Sequence, residues 1–451
     1  MDSETPKLQR RLKNRHIQLI AMGGAIGTGL FLGSAHIIQS AGPSIILGYM
    51  IGGLIAFLIM RQLGEMIVHE PVTGSFSYFA FKYWGKFSGF LTGWNYWILY
   101  ILVAMTELTA IGKYINYWWP EIPAWASVLF FFVLVTVMNL ANVKIYGESE
   151  FWLSLIKVLA IVMMILFGVY LLFTADVNSS ASISNLWAHG GFFPNGFEGL
   201  FYMLAFMMFA FGGIELISMA AAETENPDHN IPKAVNQTVI RVFLFYICSL
   251  AILLSLVPWN QLNLGDLEHS PFVMIFNLMG IDWAAHLLNF IILTASLSVC
   301  NSGMYANSRM LLGLAEQGNA PKLFKQVNSK GIPVPAVLFS ALLIFGCVLL
   351  NYFVPEKALS YLIYIVVAAA VLNWVMISLI HLKFRQAMRK QGIQSKFPAL
   401  FAPFTNYLVL AFMAVILYVM WMQGFMLSVL MLPVWIGILF ILFKLLNQQK
   451  A

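Results

Sequence analysis

Charge is scarce in this sequence. Charged residues make up 10% of its 451 positions, and hydrophobic residues 60%. Soluble proteins run nearer ~25% charged and ~45–50% apolar. A globular fold of this length exposes too much surface to keep such an excess from water, and no stretch is polar and long enough to form a soluble domain. The shortage excludes a water-soluble body, so the surrounding solvent is lipid. Cysteine is almost absent as well. Cys248, Cys300 and Cys347 all lie inside apolar runs, at no metal-ligand spacing and in odd number. That excludes a disulfide framework and leaves small buried hydrophobes. No pairing of His, Asp or Glu at metal or nucleophile spacing occurs within the apolar runs, which argues against a membrane-embedded enzyme. No catalytic residue, metal or cofactor is expected. A cleavable signal is also missing: residues 1–15 are polar and basic (Lys7, Arg10, Arg11, Lys13, Arg15), and the apolar run after them has no small-residue cut site.

Long apolar runs are what the sequence has in quantity. A helix needs roughly 20 apolar residues to cross a hydrocarbon core ~30 Å thick. Runs of that length lie near 17–38, 43–65, 88–112, 124–141, 151–173, 198–222, 238–257, 275–303, 333–353, 359–381, 402–422 and 426–446. They predict an all-α integral membrane protein of twelve transmembrane helices. Of its 25 Lys and Arg, only Lys113 and Lys357 fall toward the outside when the N-terminus is placed inside, and Lys157 lies within a span. Cytoplasmic loops retain positive charge, so both termini are expected to be cytoplasmic. The net charge of +6 is then topological bias rather than a nucleic-acid footprint. Two connectors stand apart. Ser75–Trp84 is aromatic and amphipathic, bounded by Gly74 and Gly85, and belongs at the cytoplasmic interface or packed under the bundle. Residues 174–197 form a longer outside loop.

The most informative stretch is Met22-Gly23-Gly24-Ala25-Ile26-Gly27-Thr28-Gly29, in the middle of the first span. Each glycine costs a helix ~1 kcal/mol relative to alanine, and backbone groups released in lipid must find partners. Free N–H groups at such a break can bind an anion. Close helix packing through Gly23 and Gly27 explains the glycines about as well. A dinucleotide loop does not, because the order is G-x-x-G-x-G without a β-α-β unit. A second break favours the binding reading: the sixth span carries Phe211-Gly212-Gly213-Ile214-Glu215 at a matching place. Paired breaks at corresponding positions point to inverted repeats around a site at the bilayer midplane. Half-helix N-termini would face a carboxylate there and unwound carbonyls an ammonium group. A zwitterionic amino acid satisfies both.

These residues also carry a resemblance. Arg15 through Phe31 resembles the opening signature of bacterial amino acid permeases of the amino acid–polyamine–organocation superfamily. The likeness continues through Ala41-Gly42-Pro43, Met60 to Met66, Glu70-Pro71, Gly93 to Trp97, Gly147-Glu148, Phe151-Trp152, Phe211 to Glu215, Ile231 to Ala234 and Gln317 to Pro321. It spans nearly the whole chain and is nearest to the aromatic amino acid and phenylalanine-specific permeases. The resemblance implies a LeuT-type fold: a 5+5 inverted repeat (helices 1–5 over 17–173, helices 6–10 over 198–382) with broken helices 1 and 6. Two additional helices over 402–446 follow. It further implies proton symport of an aromatic amino acid across the bacterial inner membrane. Gly24, Ala25, Ile26, Gly27, Thr28 and Gly29 would receive the substrate carboxylate. Phe211, Gly212 and Gly213 would receive the ammonium group, with Phe211 covering the substrate as a gate.

Ionisable groups within spans are costly and need a reason. Lys157, two turns into the fifth span, is the leading proton-coupling candidate; in proton-coupled relatives a lysine there fills the space that sodium takes in sodium-coupled ones. The alternative is a lysine that snorkels to the interface. Glu107 shares a face of the third span with Tyr96, Tyr100 and Val103, so Tyr100 and Glu107 would line one pocket. Glu107 serves proton relay or substrate positioning, or else a structural hydrogen bond. Glu215 fits a role in capping or pinning the broken sixth helix. Asn289, Thr294, Ser296, Ser298 and Asn301 on the eighth span line a path or bond neighbouring helices. The 15% of aromatic residues says nothing about substrate, since membrane belts use them too. The expected partners are an amino acid, a proton and the bilayer, with no obligate protein partner. Another neutral amino acid such as proline or 4-aminobutyrate, exchange in place of symport, and a passive channel or nutrient receptor stay open as alternatives.

Overall fold

The computed structural model describes residues 26–72, 74–141, 143–174, 180–221, 224–262 and 270–448. Gly24 and Ala25 lie outside them. All the regular structure among the described residues is helical, and ten of its helices are long and apolar enough to cross a membrane. Such spans must be helical because lipid offers no partner to a free backbone amide.

The second span is Ile45–His69, the third Lys86–Asn116, the fourth Ala124–Ala141 and the fifth Val143–Thr174. The seventh passes from Pro227–Arg241 through a π-helical stretch, Val242–Cys248, into Ser249–Leu256. The ninth is Val334–Ile344 and Gly346–Phe353, the tenth Pro355–Lys390, the eleventh Phe404–Met422 and the twelfth Met426–Gln448. The sixth is interrupted, and the described part of the first begins in non-helical backbone at Ile26 and Gly27. Thr28–Phe31 and Gly33–Ala41 form what is described of the first, and Gly196–Ala210 and Leu216–Ala220 flank the break in the sixth.

Four spans depart from the expected bounds, and the seventh, expected from 238, begins eleven residues earlier at Pro227 because its first turns are polar. The eighth span is not 275–303 but a short helix, Pro271–Leu278, followed by Asp282–Glu316. Gly280 at φ +71 takes the left-handed position that ends a helix. Its neighbours are apolar, so hydropathy reads straight across the turn. The fifth span starts eight residues before 151, at Val143, which brings Glu150 into it. The tenth continues past 381 to Lys390, with Arg389 and Lys390 favourably placed in its last turn.

The third span packs along the eighth and the tenth, and all three are largely buried. The fourth, fifth and twelfth turn Phe130, Met163, Leu166, Leu427 and Val434 outward, as a lipid-facing surface requires. Ser75–Tyr83 forms the expected amphipathic helix, and Phe76, Phe79 and Ala80 are buried beneath the bundle. Gly74 (φ +77) and Gly85 (φ +134) adopt conformations at its two ends that other residues reach only with strain. Across the other face, Ser182, Asn185 and Trp259 join the segment after 180 to the end of the seventh span, through Ser182 N–H to Ser255 O and Trp259 Nε1 to His189 O.

Candidate functional site

The two breaks meet in the interior. A Cβ built on Gly29 would stand 2.7 Å from Ala210 Cα and 2.9 Å from Phe209 O. Only glycine lets the backbones of the first and sixth spans approach so closely. Gly27 is extended (φ −147, ψ −156) and precedes the short helix Thr28–Phe31. A Cβ there would collide with Glu107 Oε1 and Val299 Cγ2, both 2.8 Å away. The glycine therefore makes room for a carboxylate against the backbone.

Glu107 supplies that carboxylate. Thr28 N–H donates to its two oxygens at 3.2 and 3.3 Å, and Thr28 Oγ1 donates to Oε2 at 2.7 Å. Ser296 on the eighth span sits 2.9 Å from the same Thr28 hydroxyl. The N–H group expected to receive a substrate carboxylate thus already holds one from the third span.

The opposite polarity of the unwound strand is met from the fifth span. Lys157 Nζ donates to Ile26 O at 3.2 Å and to Ser298 Oγ at 2.9 Å. The side chain is fully buried, so it does not snorkel to the interface. Ser298 in turn donates in a short hydrogen bond to Glu150 Oε1, and Asn301 Nδ2 lies 3.5 Å from Glu150 Oε2. Asn301 also accepts from Asn139 Nδ2 at 2.9 Å. The polar residues of the eighth span therefore divide: Ser296 and Ser298 reach the first break, whereas Asn289 donates to Tyr114 O and Thr294 to Ile291 O.

The sixth break is built differently. Helix Gly196–Ala210 ends at Phe211, and Gly213 at φ +95 turns the chain before Leu216–Ala220 resumes it. Tyr246, from the π-helical stretch of the seventh span, donates to Ala210 O at 2.7 Å. Its ring lies 5.0 Å from Phe211 and stacks at 5.0 Å on Tyr49, which meets Phe211 edge-on at 5.7 Å. Phe211 is fully enclosed by these rings. Tyr100 OH donates to Glu215 Oε1 at 3.3 Å, tying the third span to the far side of the break. Glu215 Oε2 is buried without a partner among the described residues.

A small cavity of about 30 Å³ lies between the breaks, lined by Gly27, Gly29, Tyr100, Glu107, Gly212, Gly213 and Glu215 and by the apolar side chains of Leu99, Val103, Val299, Val366 and Ala370. Its volume is about one water molecule's share of the liquid, so an amino acid enters only when the walls part. The structure brings Ile26–Gly29, Tyr100, Glu107, Lys157 and Phe211–Glu215 together at one place. Glu150, Tyr246 and Tyr49 are the residues that sequence reasoning missed. Glu150 stood one residue outside the assigned fifth span, although its seven-residue spacing puts it on the face of Lys157. Among the described residues no group of three or more His, Cys, Asp or Glu side chains is placed to hold a metal.

A multi-pass helical membrane protein whose interrupted sixth span faces a part-polar cavity together with the glycine-rich start of the described first span is built as a carrier of a small solute. The chain matches the amino acid permease family over residues 16–450 and belongs to it. It is 58% identical over 434 residues to the aromatic amino acid transport protein AroP of Escherichia coli O6:H1, covering 96% of this chain and 94% of the relative. It is 58% identical over 442 residues to AroP of Salmonella typhimurium SL1344, covering 97% and 96%. Over 440 residues it is 44% identical to the uncharacterized transporter YdgF of Bacillus subtilis, covering 97% and 95%. Its substrate is accordingly an amino acid, and its task is transport rather than catalysis.

Proposed function

We propose that this permease imports L-aromatic amino acids (phenylalanine, tyrosine and tryptophan) together with a proton, by alternating access across a bacterial inner membrane. The observation that carries this reading is the pairing of a cavity lined by both polar groups and apolar side chains with 58% identity to aromatic amino acid transport proteins. The polar lining suits an α-amino and α-carboxylate group and Leu99, Val103, Val299, Val366 and Ala370 suit a ring, once the walls have parted.

In this reading the fold is the LeuT type, twelve spans with repeats over 17–173 and 198–382 and cytoplasmic termini. The segment from Gly24 to Gly29, already helical from Thr28, takes the substrate carboxylate, and Phe211–Gly213 takes the ammonium group. Because Glu107 holds Thr28 N–H, the incoming carboxylate displaces it, which links substrate entry to the state of Glu107. Phe211 gates the cavity from its nest of tyrosines, and Glu215 pins the break through Tyr100. Lys157 carries the coupled proton: a charged amine bonded to Ile26 O braces the broken first span, and a neutral one lets it move.

The test is uptake of labelled phenylalanine, tyrosine and tryptophan into proteoliposomes with the lumen made alkaline. Accumulation of all three that collapses with the pH gradient is expected. Uptake of proline or 4-aminobutyrate with none of the three would overturn the substrate assignment, and accumulation indifferent to the gradient would overturn proton symport.

A further inference from the structure

The coupling scheme leaves one buried charge without a task. Glu150 is fully buried in the fifth span, within a membrane where an ionisable group is costly. It lies seven residues before Lys157, about 10 Å along the helix axis. With the N-terminus inside, the fifth span runs outward, so Glu150 is on the cytoplasmic side of Lys157. Between them stands one hydroxyl. Lys157 Nζ donates to Ser298 Oγ at 2.9 Å, and Ser298 Oγ donates to Glu150 Oε1 in a short bond. Every donor in this chain points from the lysine toward the carboxylate. Ser154 Oγ at 3.2 Å and Asn301 Nδ2 at 3.5 Å steady the two oxygens. Glu107 and Arg241 are the other charged groups that act on Lys157, and neither is joined to it by such a bridge.

We propose that Glu150 is the proton-exit residue of the transport cycle, taking the coupled proton from Lys157 through Ser298 and delivering it to the cytoplasmic side. The step conserves atoms and charge. A proton leaves Lys157 Nζ and binds Ser298 Oγ, whose own proton passes to Glu150 Oε1. Lysine becomes a neutral amine, serine is regenerated and glutamate becomes a neutral carboxyl group, which then yields the proton to cytoplasmic water. The transfer creates no net charge in the low-dielectric interior; it removes a pair of opposite charges, so burial favours it. The relay rests on Lys157 as the proton carrier.

The experiment compares two assays in proteoliposomes, accumulation of labelled phenylalanine driven by a pH gradient and counterflow of phenylalanine without one, in wild type, Glu150→Gln, Ser298→Ala and Lys157→Ala. Glu150→Gln keeps the shape and the acceptor oxygen but cannot take up a proton. It is expected to lose accumulation at least tenfold while retaining counterflow, with the pH dependence of uptake flattened. Ser298→Ala, which removes the bridge and leaves both charged residues, is expected to show the same split in weaker form. A purely structural Glu150 would lower both assays together and leave the pH profile in place. The inference is overturned if neither variant separates the assays, whether both stay near wild type or both fall in parallel. Its failure is distinguishable from failure of the coupling reading: in the first case Lys157→Ala alone separates the two assays, in the second Lys157→Ala accumulates like wild type or wild type itself ignores the gradient.

Discussion

The two breaks look alike in sequence, a run of glycines within an apolar span, yet their backbones are satisfied by opposite means. At the first, side chains of three neighbouring spans engage the unwound strand through charge: Glu107 and Ser296 at Thr28, Lys157 at Ile26 O. At the sixth, aromatics enclose the chain, with the Tyr246 hydroxyl on Ala210 O and the rings of Tyr49 and Tyr246 against Phe211, and the one ionisable group, Glu215, is held by Tyr100 on the far side of the break. Charge-assisted hydrogen bonds are strong and depend on protonation; ring packing is large in area and indifferent to pH. The first break is therefore suited to sense a proton and the sixth to open and close as a gate. One glycine contact, Gly29 on Ala210, joins them mechanically.

The sharpest way to break that comparison is at the charged side. Lys157→Ala removes the donor to Ile26 O and is expected to abolish proton-driven accumulation while some substrate binding persists; binding and accumulation assays on one preparation separate the two. Wild-type accumulation in that variant would mean the first break does not sense the proton. Gly29→Ala strikes both breaks at once. Its Cβ meets backbone that cannot rotate away, and overpacking of this kind costs about 1–3 kcal/mol. A lowered thermal midpoint together with reduced uptake is expected, and unchanged values would show that the breaks are not locked together.

Tyr246→Phe touches only the sixth break. It keeps the ring stack and leaves Ala210 O without its donor, at a cost of about 1–3 kcal/mol for a buried unsatisfied acceptor. Slower transport with an unaltered pH profile is the expected signature, read from initial uptake rates across pH. A shifted profile would erase the distinction between a proton-sensing and a gating break. The smallest effect belongs to Gly437→Ala on the twelfth span, where nothing lies within 4 Å of an added Cβ. Helix propensity alone then favours alanine by about 1 kcal/mol or less, and uptake should not change.

Much of the fold was legible because membrane insertion leaves a strong one-dimensional signal. Most apolar runs became helices whose bounds lie within a few residues of those expected. The misplacement of the eighth span shows the limit of that signal: Gly280 ends a helix through its backbone conformation, while its flanks stay apolar. For the site, Gly27, Gly29 and Gly213 were visible as helix breakers and Lys157 and Glu107 as charges in lipid. Gly24 and Ala25, named alongside them, lie outside the described residues. Tyr246 gave no such sign, since one more aromatic in an apolar span is ordinary. Its role follows from the π-helical stretch that carries it and from a contact 36 residues away.

By itself the sequence determined that the chain lives in lipid, that its first and sixth spans fit a continuous helix worst, and that a few ionisable residues are held where they cost most. These follow from hydropathy and backbone propensity, which act locally along the chain. Only the tertiary structure decided which group answers which. Glu107 lies 79 residues from the Thr28 amide it holds, Lys157 131 from the Ile26 carbonyl, and Ser298 148 from the carboxylate it links to Lys157. A hydrogen bond is set by geometry over about 3 Å, and separation along the sequence carries no trace of it.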